Sequence, residues 1–229
     1  MASFIELTAA DGFKFPAYEA RPSGPVKGAV VVLQEIFGVN AHIRAIAEGF
    51  AADGYLALAP ATFHRVKAHV ELGYTADDIA AGVTLKAAVE GLPAPGVMPD
   101  IQAAIDHASS FGKVGVVGYC WGGLLTWRAA SLLSGISAAV PYYGGGMTSA
   151  TELARKPKCP VLVHFGDNDQ SIPMDGVKAF QQAQAQSTVE VNIYAAGHGF
   201  NCDHRGAYEA SAAALARQRT LSFFAKHLA

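Results

Sequence analysis

The sequence predicts an α/β domain built on a mostly parallel sheet with helices on both faces. Continuous apolar runs such as Gly28-Ala-Val-Val-Val-Leu33 have the length of strands covered on both sides. From Gly28 onward these runs alternate with segments of helical period, the order that yields a parallel sheet. The chain has 229 residues, 51% hydrophobic and 16% charged, enough for one sizeable core. No internal repeat, low-complexity linker or composition break divides residues 1–229, so a single domain is expected.

The elements follow in order. Phe4 to Leu7 and Phe13 to Glu19 read as a hairpin turned at Asp11-Gly12, which adds antiparallel edge strands. After the strand at 28–33, Ala41 to Asp53 has helical periodicity and stops at Gly54. Tyr55 to Ala59 is a second buried strand, closed by Pro60. Thr75-Ala-Asp-Asp78 has the form of a capping box and starts a helix toward Val89. Pro99-Asp100 opens another, to about Ser109. Strands are expected at Lys113–Val117, Ala138–Tyr142, Pro160–Phe165 and Val189–Tyr194. Helices are expected at Trp121–Leu133, Pro173–Gln184 and Arg205–His227.

Composition excludes several classes. With 17 basic and 19 acidic residues and no basic stripe, there is no electrostatic footprint for nucleic acid. No apolar run approaches the roughly 18–20 residues needed to span a bilayer. Met1 to Glu6 lacks the basic start and long apolar stretch of a secretory signal, so a cytoplasmic location is expected. Cys120, Cys159 and Cys202 form an odd, widely spaced set, unlike a disulfide framework or a CxxC zinc site.

One stretch carries chemistry. Val114-Gly-Val-Val-Gly118-Tyr119-Cys120-Trp121-Gly122-Gly123 is a strand, then Gly-x-Cys-x-Gly, then a helical pattern. The spacing matches the strained strand-to-helix turn G-x-S-x-G, with sulfur in place of oxygen. The flanking glycines are needed where a Cβ would strike neighbouring backbone, and the nucleophile itself is expected in a sparsely populated φ/ψ region. A helix N-terminus also favours a thiolate over a thiol.

Enzymes with this turn supply an acid and then a histidine further along the chain. The loop Gly166-Asp167-Asn168-Asp169 ends a strand, where site groups of such sheets collect. Either aspartate fits, and Asp169 is preferred because the segment leading into the next helix would hold it. His198, set between Gly197 and Gly199 after the following strand, is the expected base, ahead of His204. His42, His64, His69 and His107 fall outside this order and read as surface or cap residues; His164 reads as core. The spacing of His198, Cys202 and His204 fits no zinc signature, and neither a metal nor a cofactor is expected. His198 would pair with the Cys120 thiol, and Asp169 would fix its tautomer. The N–H groups of Trp121 and Ile36 are the candidates to hold an oxyanion.

Gln34-Glu35-Ile36-Phe37-Gly38-Val39-Asn40, Gly118-Tyr-Cys-Trp-Gly-Gly123, Tyr142-Tyr-Gly144, Gly166-x-x-Asp169 and Gly197-His198 together resemble the dienelactone hydrolase (carboxymethylenebutenolidase) family over nearly the whole chain. The resemblance implies an eight-stranded sheet of α/β-hydrolase type, a Cys120–Asp169–His198 triad and a monomer. It implies that Glu35 contacts the thiol at rest and that substrate binding repositions it. A carboxylate beside the sulfur opposes premature ionisation and so protects it from oxidation. Well-known members of the family bind a substrate carboxylate with two arginines. At one of those positions, four residues after the histidine, this chain has Cys202, with Arg205 close by as a substitute. Phe37, Tyr143 and Trp121 are aromatic candidates for a pocket wall, with ordinary core as the equal alternative.

The expected chemistry is hydrolysis of a small ester or lactone through a thioester on Cys120. The alternatives are a binding protein that uses the fold without turnover, and a thioesterase or C–C hydrolase on the same scaffold.

Overall fold

In the computed structural model, residues 2–229 are described, and Met1 of the expected domain lies outside them. The hairpin forms as β1 (Ala2–Thr8) and β2 (Lys14–Ala20), turned through Gly12 at φ +83°. A positive φ of that size suits glycine at no steric cost. The remaining strands are β3 (Ala29–Leu33), β4 (Leu56–Pro60), β5 (Val114–Tyr119), β6 (Ile136–Tyr142), β7 (Val161–Gly166) and β8 (Val189–Tyr194). They pair in the order β1-β2-β4-β3-β5-β6-β7-β8, antiparallel at β1–β2 and β2–β4 and parallel from β4 onward. Every residue of β3, β4, β5 and β7 is buried, as their unbroken apolar runs require once helices cover both faces.

The helices are α1 (Ala41–Ala52), α2 (Ala76–Glu90), α3 (Met98–Ser109), α4 (Trp121–Leu132), α5 (Ala150–Leu153), α6 (Met174–Gln184) and α7 (Ala210–Leu228). No helix among the described residues is long and apolar enough to cross a membrane. Local chemistry sets their starts. Asn40 caps α1 by accepting from the Ile43 N–H at 3.2 Å. The Thr75–Asp78 capping box forms in both directions, at 3.2 and 3.0 Å.

One element was not expected and one expectation is corrected. The four-residue α5 has no period to betray it. The last helix starts at Ala210, not at Arg205, because Arg205 and Tyr208 close successive turns onto Cys202 and Arg205 carbonyls. Those turns leave the Arg205 side chain facing the ends of the strands, where it meets Glu35.

His164, in the middle of β7, is fully buried, with Nδ1 2.8 Å from the Tyr194 hydroxyl and Nε2 3.1 Å from the Thr220 hydroxyl. Burial, reinforced by Arg219, holds its pKa down to about 3. The unfolded chain protonates this ring near pH 6.5, whereas the folded chain keeps it neutral. Its contribution is therefore complete above pH 6.5 and is lost as pH falls toward 3. By pH 4.5 the loss amounts to about 2–3 kcal/mol. The urea midpoint should fall less between pH 7 and pH 4.5 in His164→Gln than in the wild type. Equal falls would remove His164 as a cause.

Candidate active site

The loops leaving the carboxyl ends of β3, β5, β6, β7 and β8 supply Glu35, Cys120, Tyr143, Asp169 and His198 respectively. Cys120 stands between β5 and α4 at φ +54°, ψ −116°, a conformation costing about 1–3 kcal/mol in a residue with a side chain. The surrounding backbone enforces it. The Cys120 N–H donates to the Tyr142 carbonyl at 3.1 Å. A Cβ on Gly118 would lie 2.1 Å from the Gly122 oxygen, and one on Gly122 would lie 2.3 Å from the Leu33 oxygen. Glycine at both positions lets strand, turn and helix touch through bare backbone, which presses the Cys120 turn against the end of β3.

His198 faces the sulfur, with Nε2 3.1 Å from Cys120 Sγ, and its Nδ1 lies 2.7 Å from Asp169 Oδ2. Asp169 is buried and its other oxygen accepts from the Ser171 N–H at 2.8 Å, whereas Asp167 is exposed. The segment toward α6 thus grips Asp169 through backbone. Burial alone would hold the His198 imidazole down. The facing Cys120 sulfur and the Asp169 carboxylate outweigh it and raise the pKa to about 10. The arrangement sets the imidazole between a sulfur on Nε2 and a carboxylate on Nδ1, where the ring can carry a proton.

Glu35 is fully buried in the loop after β3. Its Oε1 accepts from Arg205 Nη1 at 3.2 Å, and its Oε2 has no partner among the described residues. The expected contact between Glu35 and the thiol is not formed here; the sulfur faces His198 and the carboxylate faces the guanidinium. Burial pushes the Glu35 carboxyl up, with Arg205 and His198 opposing. Gly199 makes the Arg205 position possible, because a Cβ there would sit 2.3 Å from Nη1. Arg205 also lies over the Phe37 ring, its guanidinium carbon 5.7 Å from the centroid.

The N–H groups of Ile36 and Trp121 donate to no backbone carbonyl among the described residues, and the contact of Gly122 with Leu33 brings their two segments together. Tyr143 is buried at φ +34°, edge-on to the His198 ring at 5.3 Å, a wall behind that ring. Phe37 packs on Tyr74 beneath Arg205. Trp121 instead stacks on Phe63 and donates its indole N–H to Glu90 at 2.9 Å, so its side chain anchors α2 to α4.

Sequence reasoning missed a group behind Glu35. His42 is buried, not a surface or cap residue, and Cys202 is buried as well. His42 sits in the first turn of α1, and nothing in local spacing shows that this turn faces the chain after His198. Arg65, in the segment before α2, is committed to Asp100 and Asp11.

Known proteins share this frame. The model of the dienelactone hydrolase family matches residues 15–228. A protein of Escherichia coli K12, provisionally named carboxymethylenebutenolidase, is 34% identical, with 99% of this chain and 88% of that one covered. The carboxymethylenebutenolidase of Pseudomonas putida is 32% identical, covering 96% and 95% of the two chains. A solved structure from Klebsiella pneumoniae subsp. pneumoniae, provisionally named dienelactone hydrolase, superposes with a TM-score of 0.83. It is 32% identical, with 99% of this chain and 98% of that chain covered.

Proposed function

The chain belongs to the dienelactone hydrolase family, and on that footing we propose that it cleaves a small ester or lactone through a thioester on Cys120. The observation that carries the reading is the 3.1 Å contact of His198 Nε2 with Cys120 Sγ, backed by Asp169 on the other ring nitrogen.

The Cys120 thiolate attacks the carbonyl carbon, and the C–S bond forms as the carbonyl electrons move to oxygen. The N–H groups of Ile36 and Trp121 hold that oxyanion. As it collapses, the C–O bond to the leaving group breaks and His198 gives its proton to the departing alkoxide. The neutral imidazole then takes a proton from water, which attacks the thioester. Collapse releases the carboxylic acid and returns the thiolate–imidazolium pair. Asp169 keeps the Nδ1 proton in place throughout.

Arg205 supplies the substrate class. A guanidinium recognises a carboxylate by paired charge-assisted hydrogen bonds. An anionic substrate bound there takes Arg205 from Glu35. Short p-nitrophenyl esters and small lactones should turn over, with carboxylate-bearing compounds preferred. No turnover across neutral and anionic compounds would leave the reading of a binding protein.

Arg205→Gln tests the Arg205 role while leaving the backbone beside His198 unstrained. The amide cannot pair with a carboxylate as a guanidinium does, so kcat/KM for an anionic ester should fall about 10–100-fold, the worth of one or two charge-assisted hydrogen bonds. A neutral ester of the same size should change little. Equal losses on both would assign Arg205 a structural part only.

A further inference from the structure

Behind the proposed nucleophile lies a group that the hydrolytic scheme does not use. Cys202, His42 and Glu35 each offer one ligand-type atom, and these atoms lie within 4.8 Å of one another. All three side chains are buried, Cys202 fully, Glu35 at 1% exposed and His42 at 5%. Glu35 Oε2 and His42 Nε2 are buried with no hydrogen-bond partner among the described residues. Orphan acceptors of this kind are costly in a dry interior unless something meets them.

We propose that Glu35, His42 and Cys202 form a binding site for one thiophilic divalent cation of the Zn²⁺ class, seated behind the Cys120–His198 pair. Thiolate, imidazole and carboxylate are the three protein ligand types zinc takes, and three of them leave a fourth position open. In a tetrahedral site at bond lengths of about 2.0–2.3 Å, ligand atoms stand about 3.5 Å apart, so a closure of about 1 Å completes the set. Binding forms the S–metal bond as the Cys202 S–H proton leaves to solvent. A thiolate, a carboxylate and a neutral imidazole then face the dication, and Arg205 gives up its share of the Glu35 charge.

The supporting shell is present. His42 Nδ1 lies 3.5 Å from an Asp203 carboxylate oxygen, the carboxylate–histidine pairing that orients a ligating imidazole. A cavity reaches one member of the trio. His42 and Asp203 line a cavity of about 320 Å³ between α1 and α7. Arg205 holds only Oε1 of Glu35, so Oε2 is available. An ion there competes with Arg205 for the Glu35 carboxylate and places a dication behind the thiolate–imidazolium pair, so its binding should inhibit hydrolysis. Local spacing hides the site, because His42 lies far from Cys202 along the chain.

The probe is Co²⁺ titrated into the full chain, read by the thiolate-to-cobalt charge-transfer band in the near ultraviolet, which needs no turnover. The wild type and Cys120→Ser should show the band at one equivalent of metal. Cys202→Ser should lose it, and His42→Ala and Glu35→Gln should each weaken binding at least about tenfold. Far-ultraviolet circular dichroism confirms that each variant is folded. His204→Ala should show the band as the wild type does; cobalt bound to the wild type without the band would place the ion on the sulfur-free outer trio His42, Asp203 and His204 instead. A band that survives Cys202→Ser and vanishes in Cys120→Ser would place the ion on the nucleophile instead, and a wild type without a band would overturn the site. In the hydrolysis assay Zn²⁺ should inhibit the wild type reversibly to EDTA and spare Cys202→Ser. If no variant hydrolyses esters, the cobalt titration still decides the metal site.

Discussion

Replacement of Cys120 by alanine should abolish ester hydrolysis, lowering kcat by about 10⁴-fold or more while leaving the fold intact. The reason is that nothing else at the site can bond to the carbonyl carbon. In the proposed scheme His198 and Asp169 hold and move a proton, and the Ile36 and Trp121 N–H groups stabilise an anion that would no longer form. What remains is positioning and oxyanion binding, which in sites of this kind leave about 10³–10⁴-fold over water. Stability should fall slightly, because the Cys120 sulfur is among the causes that raise His198 to about 10 and that favourable contact is lost. Alanine at φ +54° carries the same strain as cysteine, but α4 no longer begins beside a sulfur held against His198. The paired measurement is kcat on a short p-nitrophenyl ester with a urea melt of the same sample. Undiminished turnover in Cys120→Ala would remove the nucleophile.

Asp169→Asn should be nearly as severe, with kcat down about 10³–10⁴-fold and KM little changed. The 2.7 Å bond to His198 Nδ1 settles which ring nitrogen carries the proton. An asparagine that presents its amide N–H to Nδ1 drives the proton onto Nε2, facing the sulfur, and leaves no lone pair there to receive one from water. The Asp169 charge also goes, and it is among the causes that raise His198 to about 10. The imidazolium should therefore titrate at lower pH in the variant. The alkaline limb of its pH–rate profile should move toward neutrality, a shift that a merely structural defect would not produce. An unmoved limb would mean that the carboxylate does not govern the base.

The fold was legible because its strands are long apolar runs and its helix starts carry caps such as Asn40 and the Thr75–Asp78 box. The turn at Cys120 was legible for the same local reason: Gly118 and Gly122 stand at fixed offsets, and the steric need for both is visible as backbone atoms about 2 Å from any Cβ. Asp169 and His198 could be ranked by their place after strands. Long-range packing could not be read. The start of α7 was misjudged because the Arg205 region is composed like a helix yet turns inward, where its guanidinium finds Glu35 in space left by Gly199. The role of Glu35 came from resemblance, and its partner proved to be a guanidinium. His42 looked like an ordinary helix-surface residue until α1 was seen packed over the chain that follows His198.

The central claim is that one thiol of three is held as a nucleophile by the imidazole beside it. Cys159 and Cys202 are buried, and burial raises each to about 11, so both should resist alkylation at neutral pH. Iodoacetamide titrated at pH 7, with peptide mapping and residual esterase activity read from the same aliquots, tests this. One carboxamidomethyl group should appear, on Cys120, and activity should fall in proportion to it. Full activity in protein with Cys120 fully labelled would contradict the claim.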